Sequence, residues 1–127
     1  MATLNHFLVL TDDIEATRDF WCGALELEVG DRPPLEFPGY WLYAEAVPCV
    51  HVADRAAFDA HSERIGIPAK RGPVEHVAFS AIDYDGIVGR LAGEGIDAAP
   101  NVVPGMRQLF LEDPNGVKIE INVKEPS

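Results

Sequence analysis

The chain has 127 residues, a formal net charge of −11 and 47% hydrophobic residues, enough for one domain with a substantial core but few for two independent ones. So acidic a chain is a poor match for nucleic acid, where basic patches supply most of the affinity, or for an anionic membrane surface. No apolar run approaches the ~20 residues of a membrane span, and the start lacks the basic-then-apolar order of a signal peptide, so a cytoplasmic protein is expected.

In chain order, residues 4–10 form an apolar segment that reads as a strand carrying His6, and Thr11-Asp12-Asp13 supplies a helix N-cap. From Ile14 the residues Ile14, Thr17, Phe20, Trp21 and Leu25 follow helical spacing. Residues 31–39 contain Pro33, Pro34 and Pro38 and read as a loop or a broken edge, whose aromatics Phe37 and Tyr40 either cover a wall or touch a ligand. Residues 41–46 and 48–53 read as two strands joined by a short turn, with His51 in the middle of the second. Residues 55–73 form a charged linker, expected to be a short solvated helix, bearing a bystander His61, and then a loop. A second strand–helix pattern follows at 74–81 and 84–95, and 101–106 matches the earlier proline-rich loop. Finally 109–112 and 117–123 make a hairpin across Asp113-Pro114-Asn115-Gly116, with Asn115 and Gly116 expected at positive φ. Cys22 and Cys49 are far apart, without a CxxC pattern, and read as small core residues.

Two stretches are copies of each other. LNHFLVLTDDIEATRDFW begins at Leu4 and VEHVAFSAIDYDGIVGRL at Val74, and the offset that lays His6 on His76 also lays Asp13 on Asp83. A shift of one residue then lays His51 on Glu120. The chain therefore divides into one module at 4–54 and another at 74–123, each strand–helix–strand–strand–strand, with helices covering one face of each sheet.

A histidine in a strand is commonly structural, but three in related positions of a repeat, with a glutamate, form a candidate site. Pairing of the modules about a pseudo-twofold axis would bring His6, His76, His51 and Glu120 into a shared cleft. Two imidazoles and a carboxylate with open coordination positions suit a divalent transition metal. In KIEINV, a face shared by Glu120, Lys118 and Asn122 leaves Ile119 and Ile121 on an apolar opposite face.

With those residues in view, the chain resembles the vicinal oxygen chelate superfamily, which includes glyoxalase I, extradiol dioxygenases, methylmalonyl-CoA epimerase and the fosfomycin- and bleomycin-resistance proteins. The resemblance rests on LNHFLVLTDDIEATRDFW, VEHVAFSAID and FLEDPNGVKIEINV and covers nearly the whole chain. It implies an α+β fold in which two βαβββ modules form a U-shaped mixed-sheet cleft. It also implies a divalent metal (Fe, Mn, Ni, Co or Zn) on His6, His76 and Glu120. His51 stands where glyoxalase I has its fourth ligand, a glutamate, and is either a further ligand or a general acid or base. Candidate substrate contacts are Trp41, Tyr43 and Phe110, together with Arg107 and Gln108 as a polar pair for an oxygen anion.

Three readings follow. The first is a metal-dependent enzyme that chelates vicinal oxygens of a small substrate, dioxygenase-like or glyoxalase-like. The second is a resistance-type protein that sequesters a small molecule without turnover. The third is a homodimer whose histidines are structural. A homodimer is expected in any case, with modules pairing within one chain or exchanged between two.

Overall fold

A computed structural model describes residues 1–125, and the chain divides into two compact units, Met1–Gly72 and Pro73–Ser127. The first holds β1 (Phe7–Thr11), α1 (Ile14–Leu25), β2 (Glu28–Gly30), β3 (Gly39–Ala44), β4 (Val47–Asp54) and α2 (Arg55–Arg64). The second holds β5 (Val77–Ala81), α3 (Tyr84–Gly93), β6 (Ala99–Val103), β7 (Met106–Glu112) and β8 (Lys118–Lys124). Each has one four-stranded mixed sheet, ordered β1-β4-β3-β2 and β5-β8-β7-β6, in which the first and last strands of the module run parallel. This is the expected α+β class with a βαβββ order in each unit. No helix of the described residues is long and apolar enough to cross a membrane.

In the first unit, Asp13 caps α1 by accepting the Ala16 amide at 3.0 Å, as its place before an apolar-periodic run predicts. Thr17, Trp21 and Ala24 recur at helical spacing and are fully buried. The helix packs against β3 and β4, where Leu42, Val50 and Val52 are buried as well. Gly39 starts β3 because a Cβ there would land on the carbonyl oxygen of Val52.

Three details differ from the sequence reading. The linker helix α2 is packed rather than solvated: it lies against β4 and β1, with Ser62 buried. His61 is correspondingly no bystander, since its ring contacts Phe37 at 5.2 Å and its Nδ1 lies 3.1 Å from Glu36. Residues 101–106 are not a loop like 31–39; they finish β6, turn at Pro104-Gly105 and enter β7.

In the second unit, Ile87 and Leu91 form the buried stripe of α3, while Ile119, Ile121 and Val123 form that of β8. The 113–116 turn is built on Asp113, whose Oδ1 accepts the amides of Asn115 and Val117, both at 2.8 Å. Positive φ falls on Gly116 and not on Asn115, because this side-chain bond supplies the chain reversal that Asn115 was expected to make. Gly89 lies in the interior of α3, and a Cβ there would meet nothing within 4 Å. Gly89→Ala is therefore expected to stabilise the protein by about 0.5–1 kcal/mol, the helix-propensity difference. A melting temperature unchanged or lowered in the variant would contradict this.

Candidate functional site

The two sheets repeat the same rung. In the first unit Leu8, His51 and Trp41 lie side by side across β1, β4 and β3; in the second, Ala78, Glu120 and Phe110 occupy the same places on β5, β8 and β7. The alignment of His51 with Glu120 is thus a structural equivalence, and strand alternation turns both away from the buried aliphatic stripe.

In the first unit the His51 ring is sandwiched. It stacks on His6 with centroids 3.8 Å apart and on Trp41 at 4.1 Å, with nearly parallel planes in both cases. Its Nε2 lies 3.0 Å from the Pro48 carbonyl, which can only accept, so the neutral ring carries its proton on Nε2 and its lone pair on Nδ1. Burial, then the neighbouring His6 and Arg32, lower the pKa of His51 below its ordinary 6.5, against a smaller opposing effect of the Pro48 bond. Because the native state holds this ring neutral while the unfolded chain protonates it, His51 costs stability as pH falls through 6.5 toward the lowered native value. In an NMR titration assigned with His51→Gln, the His51 signal is expected to move below pH 6.5; a midpoint at or above that value would contradict the account.

These rings, with Leu8, Arg32, Phe37 and Phe58, line a cavity of about 260 Å³ within the first unit. Phe37 and Phe58 meet edge to face at 5.1 Å, so the proline-rich loop and the linker helix close over the sheet together. Tyr43 does not join them: its hydroxyl donates to the Asp31 carbonyl at 2.6 Å.

In the second unit His76 Nε2 lies 3.5 Å from Glu120 Oε1. Two ligand atoms each about 2.1 Å from one ion stand about 3.0 Å apart in octahedral and about 3.4 Å apart in tetrahedral geometry, so this spacing needs little adjustment. Glu75 holds the other side of the imidazole, with Oε1 2.8 Å from Nδ1, and is in turn gripped by Lys118 Nζ at 3.0 and 3.2 Å. The hydrogen bond to His76, then that to Lys118, keep the Glu75 carboxyl below its usual pKa. Glu120 is oriented through a line of amides on the same face. Asn122 donates to its Oε2 at 2.8 Å, Gln108 to Asn122 at 3.0 Å, and Asn101 to Gln108 at 2.8 Å.

The residue before each module histidine plays the same part. Asn5 Oδ1 lies 2.6 Å from His6 Nδ1, just as Glu75 does for His76. Both acceptors place the proton on Nδ1 and leave the Nε2 lone pair free, the tautomer a metal ligand requires. Within neither unit do the described residues gather three or more His, Cys, Asp or Glu side chains as a metal site. Within the second unit the predicted ligands His76 and Glu120 come together; within the first, His6 stacks on His51.

Arg107 and Gln108 do not act as a pair. Consecutive on β7, they face opposite sides of the sheet: Gln108 lies in the amide line, whereas the Arg107 guanidinium sits 3.5 Å from the Tyr84 ring centroid and 3.6 Å from Glu125. Sequence reasoning passed over Asn5, Glu75 and Arg32. For the first two a signal existed, a polar residue before each repeated histidine; for Arg32 there was none, since only the fold brings its loop onto the His51 face.

The sequence profile of the Glyoxalase/Bleomycin resistance protein/Dioxygenase superfamily matches residues 3–121, whereas none of the curated proteins compared matches the chain. Among solved structures, a lactoylglutathione lyase from Agrobacterium tumefaciens aligns with TM-score 0.72 and 18% identity over 97% of this chain and 94% of that one. An antibiotic binding protein from a Streptomyces species gives 0.72 and 20% over 98% of both chains. A fosfomycin resistance protein from Listeria monocytogenes gives 0.70 and 14% over 98% and 95%. At such identities the likeness is one of fold, and together with the profile match it establishes that the chain belongs to the Glyoxalase/Bleomycin resistance protein/Dioxygenase superfamily.

Proposed function

We propose that the chain is a divalent-metal-dependent enzyme of this superfamily, acting on a small substrate that offers two vicinal oxygens, with His6, His76 and Glu120 as the ligand positions. The observation that carries this reading is the supported His76–Glu120 pair: an imidazole with Nε2 left free and a carboxylate oriented by an amide. Nitrogen and carboxylate donors of this kind suit iron, manganese, nickel, cobalt or zinc. When bound, such an ion supplies Lewis-acid stabilisation of negative charge on the substrate oxygens.

The chain's own residues do the rest. Glu75 and Asn5 hold the two histidines in the ligating tautomer, and Asn122 holds Glu120. His51 offers Nδ1 as a general base, and burial keeps that atom unprotonated near neutral pH. Trp41 and Phe110, the neighbours of His51 and Glu120 on their rungs, present flat apolar surface to a substrate. A cytoplasmic homodimer belongs to the same reading, its mass in solution being the check on the second part.

Elemental analysis of anaerobically purified protein tests the proposal, with His76→Ala beside it. About one divalent ion per chain, lost in the variant, is the expected result; no ion in either protein after reconstitution would leave ligand sequestration as the function. That second reading has its own support in the aromatic cavity of the first unit, which is built without any metal ligand from the other.

A further inference from the structure

We propose that the first-unit cavity binds a planar aromatic carboxylate, with Arg32 as the partner of the carboxylate and the His51–Trp41 stack as a wall for the ring. Arg32 reaches the cavity from the proline-rich loop. Its Nη2 donates to the Phe37 carbonyl at 2.7 Å, and its guanidinium lies 5.4 Å from the Phe37 ring centroid. These contacts fix the side chain without neutralising it: no carboxylate among the described residues pairs with Arg32, and its Nε is buried without a hydrogen-bond partner. A half-buried guanidinium that has no counter-charge and leaves one N–H without an acceptor is unfavourable, and partial burial lowers its pKa. A ligand carboxylate would supply both the missing acceptor and the missing charge.

The remaining walls set the shape of the ligand. His6, His51 and Trp41 make a pile of nearly parallel rings, Phe37 and Phe58 stand edge to face, and about 260 Å³ is available. Such walls favour a flat ring. The charge of the ligand is limited too. Arg32 is the one lysine or arginine among the lining residues, and a protein of net charge −11 repels polyanions, so a single carboxylate fits better than a phosphate ester.

This site needs no metal and does not rest on the function proposed above. Calorimetry on metal-stripped full-length protein, with benzoate and 2-naphthoate against benzyl alcohol, tests it. The acids are expected to bind at least about tenfold more tightly than the alcohol, the range of a charge-assisted hydrogen bond. Arg32→Gln is expected to abolish that preference and Arg32→Lys to keep part of it. Equal affinity for benzoate and benzyl alcohol in the unaltered protein, or no binding of either acid, would overturn the proposal whatever the variants do. Binding of the acids that appears only in metal-loaded protein and survives Arg32→Gln would overturn it as well, assigning the carboxylate to the metal.

Discussion

Glu120→Ala is expected to leave the protein without retained divalent metal after desalting, while Glu75→Gln retains it with affinity about 10–100-fold weaker. The difference follows from what each carboxylate touches. Glu120 is the one carboxylate among the proposed ligands, and its removal also deprives Asn122 of the acceptor of its 2.8 Å bond. Glu75 is not itself a proposed ligand and meets His76 at its far nitrogen, besides Lys118; glutamine can still accept from Nδ1–H, but the negative charge that raises the basicity of the ring is gone. The stabilisation recorded in the lowered pKa of Glu75 is present above the ordinary carboxylate range and fades as pH falls through the native value. Metal content of Glu120→Ala equal to that of the parent, with circular dichroism unchanged, would remove Glu120 from the ligand set.

Trp21→Ala is expected to destabilise the first unit by about 3–5 kcal/mol. Trp21 is completely buried, contacts Phe7 at 5.6 Å between centroids, and projects from the middle of the buried stripe of α1. The side chains around it belong to strands held by a hydrogen-bonded ladder, so they cannot collapse into the space left behind. With native stabilities commonly about 5–15 kcal/mol, such a loss consumes a large part of the total. Denaturant unfolding followed by the fluorescence of Trp41, the tryptophan that remains, measures it. Phe20→Ala, one residue along and half-exposed, is expected to cost distinctly less; equal costs would mean that Trp21 is not the keystone of this core.

Much of this architecture was legible before any coordinates. The repeat is visible because duplicated strands keep their apolar alternation: Ile119 and Ile121 face the core exactly as the pattern around Glu120 required, with relative exposures of 0% and 1%. Helix α1 announced itself through Asp13 and the spacing of Thr17 and Trp21. What stayed hidden depends on register and on long-range closure. Nothing local tells that Gln108, Asn122 and Asn101 share a rung, because that depends on how β7 pairs with its neighbours. The same ignorance of facing made Arg107 and Gln108 look like partners. Nor does a charged segment reveal that Phe58 and Ser62 turn inward, which is why α2 read as solvated. The two histidine supports were recoverable, since Asn5 and Glu75 occupy equivalent places in the repeat, but an amide and a carboxylate are not the same residue and the eye passes over them.

The amide line of the second unit has a direction. Asn101 starts it as a donor, Gln108 and Asn122 each accept at the oxygen and donate through the nitrogen, and the run ends on a carboxylate that accepts only. Glu120 therefore sets the orientation of three side chains as well as its own. Replacing it by glutamine would put an end group in its place that can receive or give, so that the whole line becomes free to reverse and two arrangements compete where one stood. A neutral isostere at that position thus erases the polarity of the sheet face along with the charge, and disorder is expected to spread outward as far as Asn101.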